Sequence, residues 1–127
     1  MDLLHGNTAA LAFIGDAAYE LYVRRHVMGL GLSHADRLHA AATRYVRASA
    51  QAGAVKLMYD GLPEGEQALV RRARNRKTAN KPRNADPAEY KWATAFEALL
   101  GYYCASGQED RLREAAETAI GIIDGMK

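Results

Sequence analysis

Between Leu11 and Val23 the chain reads LAFIGDAAYELYV, which sets two carboxylates, Asp16 and Glu20, inside a segment that is otherwise apolar nearly all round. A helix of that composition is expected to be buried against several neighbours, since no face is polar enough to be left wholly to water. Burial makes Asp16 costly, because desolvation disfavours an ionised carboxylate unless a cation, a metal or hydrogen-bond donors compensate. The four-residue spacing also stacks Asp16 and Glu20 on one face, where like charges cost about 0.2–0.5 kcal/mol. Something positive is expected beside them. Either an arginine from another helix pairs with Asp16, with Glu20 at the edge of the buried face, or carboxylates hold a divalent metal. The second reading needs another acidic helix.

The rest of the chain narrows the classes of protein that fit. At 127 residues, one domain with a real core is expected. Hydrophobic residues make up 49% and charged residues 25%, which argues against a disordered chain. No apolar run approaches the roughly 20 residues of a membrane-spanning helix. Met1 to Gly6 lacks the basic start and apolar core of a secretory signal. Cys104 is the sole cysteine, so no internal disulfide can form, and a reducing cytoplasm is the expected location, with no membrane partner.

The formal net charge of +2 conceals an asymmetry. Arg71 to Arg83, RRARNRKTANKPR, holds seven Lys and Arg and no acid, so subtracting its +7 from +2 leaves −5 elsewhere. One block is built to meet an anion while the body is mildly acidic. A solvated helix end is the plainer reading of a basic run, yet seven cations without an acid repel one another unless an anion is present.

Periodicity predicts helices throughout and no strand, an all-α fold. Asn7 or Thr8 can cap a first helix running to about Met28, with Gly29 and Gly31 as the stop. Gly15, costly inside a helix, implies close approach of another backbone, in the core or across a subunit interface. Ser33, with Asp36 three residues on, begins a second helix in a weak form of the capping box. The stretch His34 to Asp60 is long for one helix and is expected to break near Thr43 to Val46. Another helix runs from Glu64 to about Lys77, and Thr78 to Ala85 is an expected loop. Asp86 followed by Pro87 starts a helix to about Ala105. It carries Glu97 among Phe96, Ala98, Leu99 and Leu100, and is the second acidic helix the metal reading needs. A last amphipathic helix spans Gln108 to about Asp124.

The segments FIGDAAYELYV and FEALLGYY, in this order with a helical pattern between, resemble the ribonuclease III catalytic domain. The short chain, with no room for a double-stranded-RNA-binding domain after the catalytic one, and the basic loop before FEALLG are similar to the Mini-ribonuclease III branch of that family. The resemblance covers nearly the whole chain and implies a homodimeric all-α endonuclease domain over residues 1–127, with a basic RNA-contacting segment at 71–85. It places Asp16 and Glu97 at the family's essential, metal-linked acids. Three positions depart from the pattern. Glutamates expected seven and four residues before the aspartate are Ala9 and Ala12, and an aspartate expected three residues before the glutamate is Thr94. The expected metal site therefore holds fewer protein carboxylates and more water.

These expectations define a chemistry. Phosphodiester hydrolysis needs the phosphate charge neutralised, a water activated and a leaving oxygen stabilised, and Mg²⁺, with Mn²⁺ as a substitute, serves all three from one or two carboxylates. Asp16 and Glu97 are the expected metal-binding catalytic pair, with Glu20 tuning the site and Thr94 donating a hydrogen bond to a carboxylate or water. Arg71, Arg72, Arg74, Asn75, Arg76, Lys77, Lys81 and Arg83 are the expected RNA-binding residues, suited to a shape-led grip on A-form duplex. The expected product ends are 5′-phosphate and 3′-hydroxyl. The expected substrate is the precursor of large-subunit ribosomal RNA, with a ribosomal protein as a candidate presenter. Two rivals stand beside this reading: a non-catalytic helical RNA-binding module, and a protein-interaction bundle that leaves the basic block without a job. His5, His26, His34 and His39 show no metal spacing and are expected at the surface or at helix ends.

Overall fold

The computed structural model describes residues 2–77 and 86–126. The expected loop Thr78 to Ala85, with Lys81 and Arg83, lies outside the described residues. Six α-helices follow one another: α1 Thr8–Met28, α2 Ala35–Val46, α3 Ala48–Met58, α4 Glu64–Asn75, α5 Pro87–Ala105 and α6 Glu109–Asp124. Single 3-10 turns at Leu3–His5 and Tyr59–Gly61 precede α1 and α4. No strand is present among the described residues, and the fold is all-α as expected.

The helix boundaries follow the side chains at their ends. Asn7 caps α1, its side-chain oxygen accepting from the amides of Ala9 at 2.9 Å and Ala10 at 3.4 Å. Gly31 then takes φ of 81°, a left-handed conformation that glycine adopts without strain. The start of α2 differs from expectation: His34 occupies the cap position and makes no side-chain cap bond, while Asp36 accepts from the amide of Arg37. The break between α2 and α3 falls at Arg47, whose ψ of 152° is extended, one residue past the expected window. Asp86 caps α5 through the amide of Ala88 at 2.9 Å, with Pro87 at the first helical position.

Helix α5 is the central element, with α1, α3, α4 and α6 packed around it. Phe96, Leu99, Leu100 and Tyr103 of α5 are buried against Val23 and Val27 of α1, Val55 of α3, Leu69 and Val70 of α4, and Ile123 of α6. Each large apolar side chain so enclosed contributes about 1.5–3 kcal/mol. The Tyr19 ring meets Phe96 edge to face at 4.8 Å, and its hydroxyl donates to the Tyr45 carbonyl at 3.0 Å, fastening α1 to the end of α2. Arg111 of α6 donates to Glu66 of α4 at 2.6 Å and to the Tyr103 hydroxyl at 2.9 Å, tying three helices together. His26 is more than a surface residue: it is half-buried, its Nε2 lies 3.2 Å from the Tyr45 hydroxyl, and that hydroxyl donates to Asp124 at 2.5 Å.

Helices α1 and α5 approach each other closely where two glycines meet. A Cβ built on Gly15 would fall 1.7 Å from the carbonyl oxygen of Glu97, and one built on Gly101 would fall 1.7 Å from that of Leu11. The two glycines thus serve one crossing inside a single chain, and this settles the use of Gly15 in favour of the core. The expectation that α1 is buried all round does not hold. Leu11, Gly15, Tyr19, Val23 and Val27 form the buried stripe, while Phe13 is 84% exposed, Leu21 50% and Met28 67%. Asp16 is exposed as well. A four-residue stride keeps one face of α1 on α5, so the side chains on the opposite face are left outside whatever their polarity.

Candidate active site

The crossing that Gly15 and Gly101 permit brings together the two acids expected to act as a pair. Asp16 follows Gly15, and the Glu97 backbone lies against Gly15, so the crossing brings the two acids together although 81 positions separate them in sequence. Glu97 is half-buried and Asp16 is open to solvent. Burial pushes the Glu97 carboxyl up from 4.5 to about 8, and the negative charge of Asp16 and a hydrogen bond shared with it push in the same direction. Hydrogen bonding from Gln51 acts in the opposite sense, favouring the ionised form.

Among the described residues neither Asp16 nor Glu97 has a Lys, Arg or His within ion-pairing distance. The arginine partner that the apolar segment left open is therefore not found among them. The donor chemistry fits a divalent cation: two carboxylates, one desolvated and one open, whose mutual repulsion a hard positive ion relieves. No cluster of three or more His, Cys, Asp or Glu at metal-binding distance occurs among the described residues. This agrees with the alanines at 9 and 12, of which Ala12 is buried. A cation held by this pair would keep several waters.

Glu20 and Thr94, the expected supporting residues, each have a partner on their own helix. Glu20, one turn from Asp16, is held by Arg24 at 3.1 Å across one turn of α1. The Thr94 hydroxyl donates to the Tyr90 carbonyl at 3.0 Å within α5, so its proton is not free for a carboxylate. Sequence reading also passed over Gln51 of α3, which is buried with its amide donating to the Val46 carbonyl at 3.0 Å. No period or motif marks a single glutamine in an alanine-rich helix, and only its burial makes it visible.

The basic block divides by helix phase. Arg72 turns back over the first 3-10 turn and donates to the carbonyls of Leu4 at 3.0 Å and Gly6 at 2.9 Å, so it fastens the N-terminal turn. Arg74 stacks over the Trp92 ring at 4.9 Å and donates to Asn75 at 3.1 Å. Arg71 reaches the Tyr59 hydroxyl and is otherwise exposed, as are Asn75, Arg76 and Lys77. Lys56 of α3, which no reading of the block includes, joins it by lying over the same Trp92 at 5.6 Å. Helix α4 ends at Asn75, two residues earlier than expected, and puts Arg76 in extended backbone with ψ of 135°.

Comparison with known proteins agrees with this arrangement. Residues 9–108 match the family model described as the Ribonuclease III domain. A Brevibacillus brevis protein named Mini-ribonuclease 3 is 45% identical over 119 residues, covering 94% of this chain and 89% of its own. A Streptococcus pneumoniae protein of the same name is 39% identical over 121 residues, covering 94% of each. A crystal structure of a Fusobacterium nucleatum protein superposes with a TM-score of 0.81 at 30% identity, over 92% of this chain and 93% of that one. The chain therefore belongs to the ribonuclease III family of endoribonucleases.

Proposed function

We infer that the protein hydrolyses phosphodiester bonds in double-stranded or structured RNA, using a divalent cation held by Asp16 and Glu97. The observation that carries this reading is the convergence of those two carboxyls at the Gly15–Gly101 crossing, with Glu97 held well above its ordinary range until a cation compensates. When bound, Mg²⁺, or Mn²⁺ in its place, supplies charge neutralisation of the phosphate, activation of water and stabilisation of the leaving oxygen. The chain supplies the rest. Asp16 faces solvent, where the phosphodiester backbone arrives, and Glu97 anchors the pair from the wall of α5. Glu20, held by Arg24, adds negative charge one turn away, and Thr94, with its proton committed to Tyr90, can only accept from a neighbouring donor. The products carry 5′-phosphate and 3′-hydroxyl ends. Incubated with duplex RNA, the wild-type protein is expected to cleave in Mg²⁺ and not in excess chelator, and Asp16→Asn to cleave at least about a hundredfold more slowly. Intact RNA in Mg²⁺, or an Asp16→Asn protein of wild-type rate, would refute the reading and leave a non-catalytic RNA-binding module.

Substrate is gripped by cations that meet backbone phosphates without regard to sequence: Arg71, Arg74, Arg76 and Lys77, with Lys81 and Arg83 beyond the described residues. Replacing Arg74, Arg76 and Lys77 by Ala is expected to weaken duplex binding and to flatten the plot of log affinity against log salt. On duplex DNA each lost phosphate contact reduces that slope by about 0.9, an order-of-magnitude guide for RNA. An unchanged slope would move the binding surface elsewhere.

One centre cuts one strand, so cutting a duplex is most simply done by a symmetric homodimer over residues 1–127. The exposed Phe13, Ala17 and Leu21, at four-residue spacing along α1, offer it a seam. Light scattering is expected to give twice the chain mass for wild type and the single mass for Phe13→Glu; a wild-type monomer at working concentration would remove this element. The precursor of large-subunit ribosomal RNA, in the cytoplasm and presented by a ribosomal protein, is the substrate setting we propose. Among the described residues no helix is long and apolar enough to cross a membrane.

A further inference from the structure

We propose that Lys56 of α3 is a phosphate-contacting residue for duplex RNA, and that Trp92 of α5 is the positioning residue that holds Lys56 and Arg74 as one two-charge grip. Three helices meet at this ring. The Lys56 ammonium lies 5.6 Å from the centre of the Trp92 ring, and the Arg74 guanidinium of α4 lies 4.9 Å from it. Tyr59, from the turn between α3 and α4, meets the same ring edge to face at 6.4 Å, and its hydroxyl accepts from Arg71. Trp92, Tyr59 and Arg74 are half-buried while Lys56 and Arg71 are exposed, so the aromatic pair forms a floor beneath the cations.

Among the described residues no acid neutralises this cluster: Lys56, Arg71 and Arg74 have no carboxylate within ion-pairing distance. Arg74 donates to its neutral neighbour Asn75. An aromatic face attracts a cation through its quadrupole without cancelling the charge, so Trp92 fixes both side chains and leaves both charges to act outward. Two cations held at one ring repel each other, and an anion beside them relieves that repulsion. The phosphates of a duplex backbone supply such anions in a regular array, met without reading sequence. Long side chains fixed beforehand also lose less freedom when a phosphate arrives. Lys56 is the only cation of α3 and stands 15 residues before the basic block, so charge patterning along the chain does not include it.

This inference rests on the reading that the basic block grips RNA phosphates, and the experiment separates the two. Binding of a fluorescein-labelled RNA duplex in excess chelator is followed by anisotropy at several salt concentrations. With duplex DNA as the guide, one phosphate contact contributes about 0.9 to the log–log slope, or about fivefold in affinity between 1 M and 0.15 M salt. Lys56→Gln is therefore expected to raise the dissociation constant about fivefold at 0.15 M salt and to flatten the slope by about 0.9. Trp92→Leu is expected to raise it at least about twofold, and Trp92→Phe less. In the Trp92→Leu background Lys56→Gln is expected to cost less than it does in wild type, because the ring no longer holds the ammonium in place. A Lys56→Gln protein of wild-type affinity and slope overturns the proposal, as does a Trp92→Leu protein that melts lower but binds RNA as wild type does. If Trp92→Leu does not fold, Lys56→Gln, at an exposed position, and Trp92→Phe decide. Should the Ala replacements of Arg74, Arg76 and Lys77 also leave the slope unchanged, the underlying reading falls with this inference; should they flatten it while Lys56→Gln does not, this inference alone fails.

Discussion

Glu97→Gln is expected to abolish cleavage and, in metal-free buffer, to make the protein more stable. Loss of one of the two proposed carboxylate ligands is expected to lower the rate on duplex RNA by at least about a hundredfold, the upper end of what altered ligand-supporting groups cost. Stability moves the other way because the Glu97 carboxyl is raised from 4.5 to about 8 by burial first and then by Asp16. A folded-state value above the unfolded one means that the folded protein binds more protons between those two pH values, so stability falls as pH rises through that window. At about 1.4 kcal/mol per tenfold change in proton affinity, the full shift corresponds to about 5 kcal/mol. Solvent reaching the pair through exposed Asp16 reduces this to about 1–3 kcal/mol, or roughly 5–10 °C in Tm. Thermal melts of wild type and Glu97→Gln in chelator are expected to diverge at pH 8.5 and to converge at pH 5. Added Mg²⁺ closes the gap by binding only the wild type. A variant that cleaves normally would remove Glu97 from the chemistry. A variant that melts below wild type at pH 8.5 would show that the carboxyl is not held against its charge.

The second large effect belongs to the glycines of the α1–α5 crossing. Gly15→Ala drives a methyl to 1.7 Å from the Glu97 carbonyl oxygen, and Gly101→Ala does the same to Leu11. Both obstacles are backbone of a packed helix, and neither can rotate aside. Each variant is expected to lose about 3 kcal/mol or more, at or above the upper end of ordinary overpacking. Gly15→Ala should also lose Mn²⁺ binding even where it remains folded, because parting α1 from α5 parts Asp16 from Glu97. Gly121→Ala is the control: it lies in the exposed face of α6 with nothing within 4 Å of the added methyl. It is expected to gain about 0.4–1 kcal/mol. Urea denaturation of the three variants checks the ranking. A Gly15→Ala protein as stable as wild type would mean that the crossing opens at little cost.

Much of this architecture was legible in the residues. Side chains whose effect is local, such as the Asn7 and Asp86 caps, the Pro87 start and the left-handed Gly31 and Gly107, mark helix ends without help from the rest of the fold. Where a local signal is weak it misleads: Ser33 has the right type for a cap, yet the cap of α2 falls one residue later, at His34. The acids of the site were legible by motif, Asp16 and Glu97 each standing in a distinctive apolar setting. Their supports were not. Thr94 satisfies its proton on its own helix, Arg72 spends its guanidinium on the N-terminal turn, and Gln51 commits its amide to the Val46 carbonyl. Such roles depend on which groups lie nearby in space, and spacing along the chain does not report that.

Apolar periodicity and caps were enough by themselves to determine an all-helical domain and its element order, and the resemblance carried by the two acid-bearing segments brought Asp16 and Glu97 forward as a candidate pair. Only the tertiary structure decided which face of α1 is buried, that Gly15 meets α5 inside the same chain, and that Asp16 stands open while Glu97 is desolvated. The reason is physical. Helix formation is governed by interactions within a few residues, whereas burial, charge repulsion and donor placement arise from contacts between helices distant in sequence, and those exist only once the helices have packed.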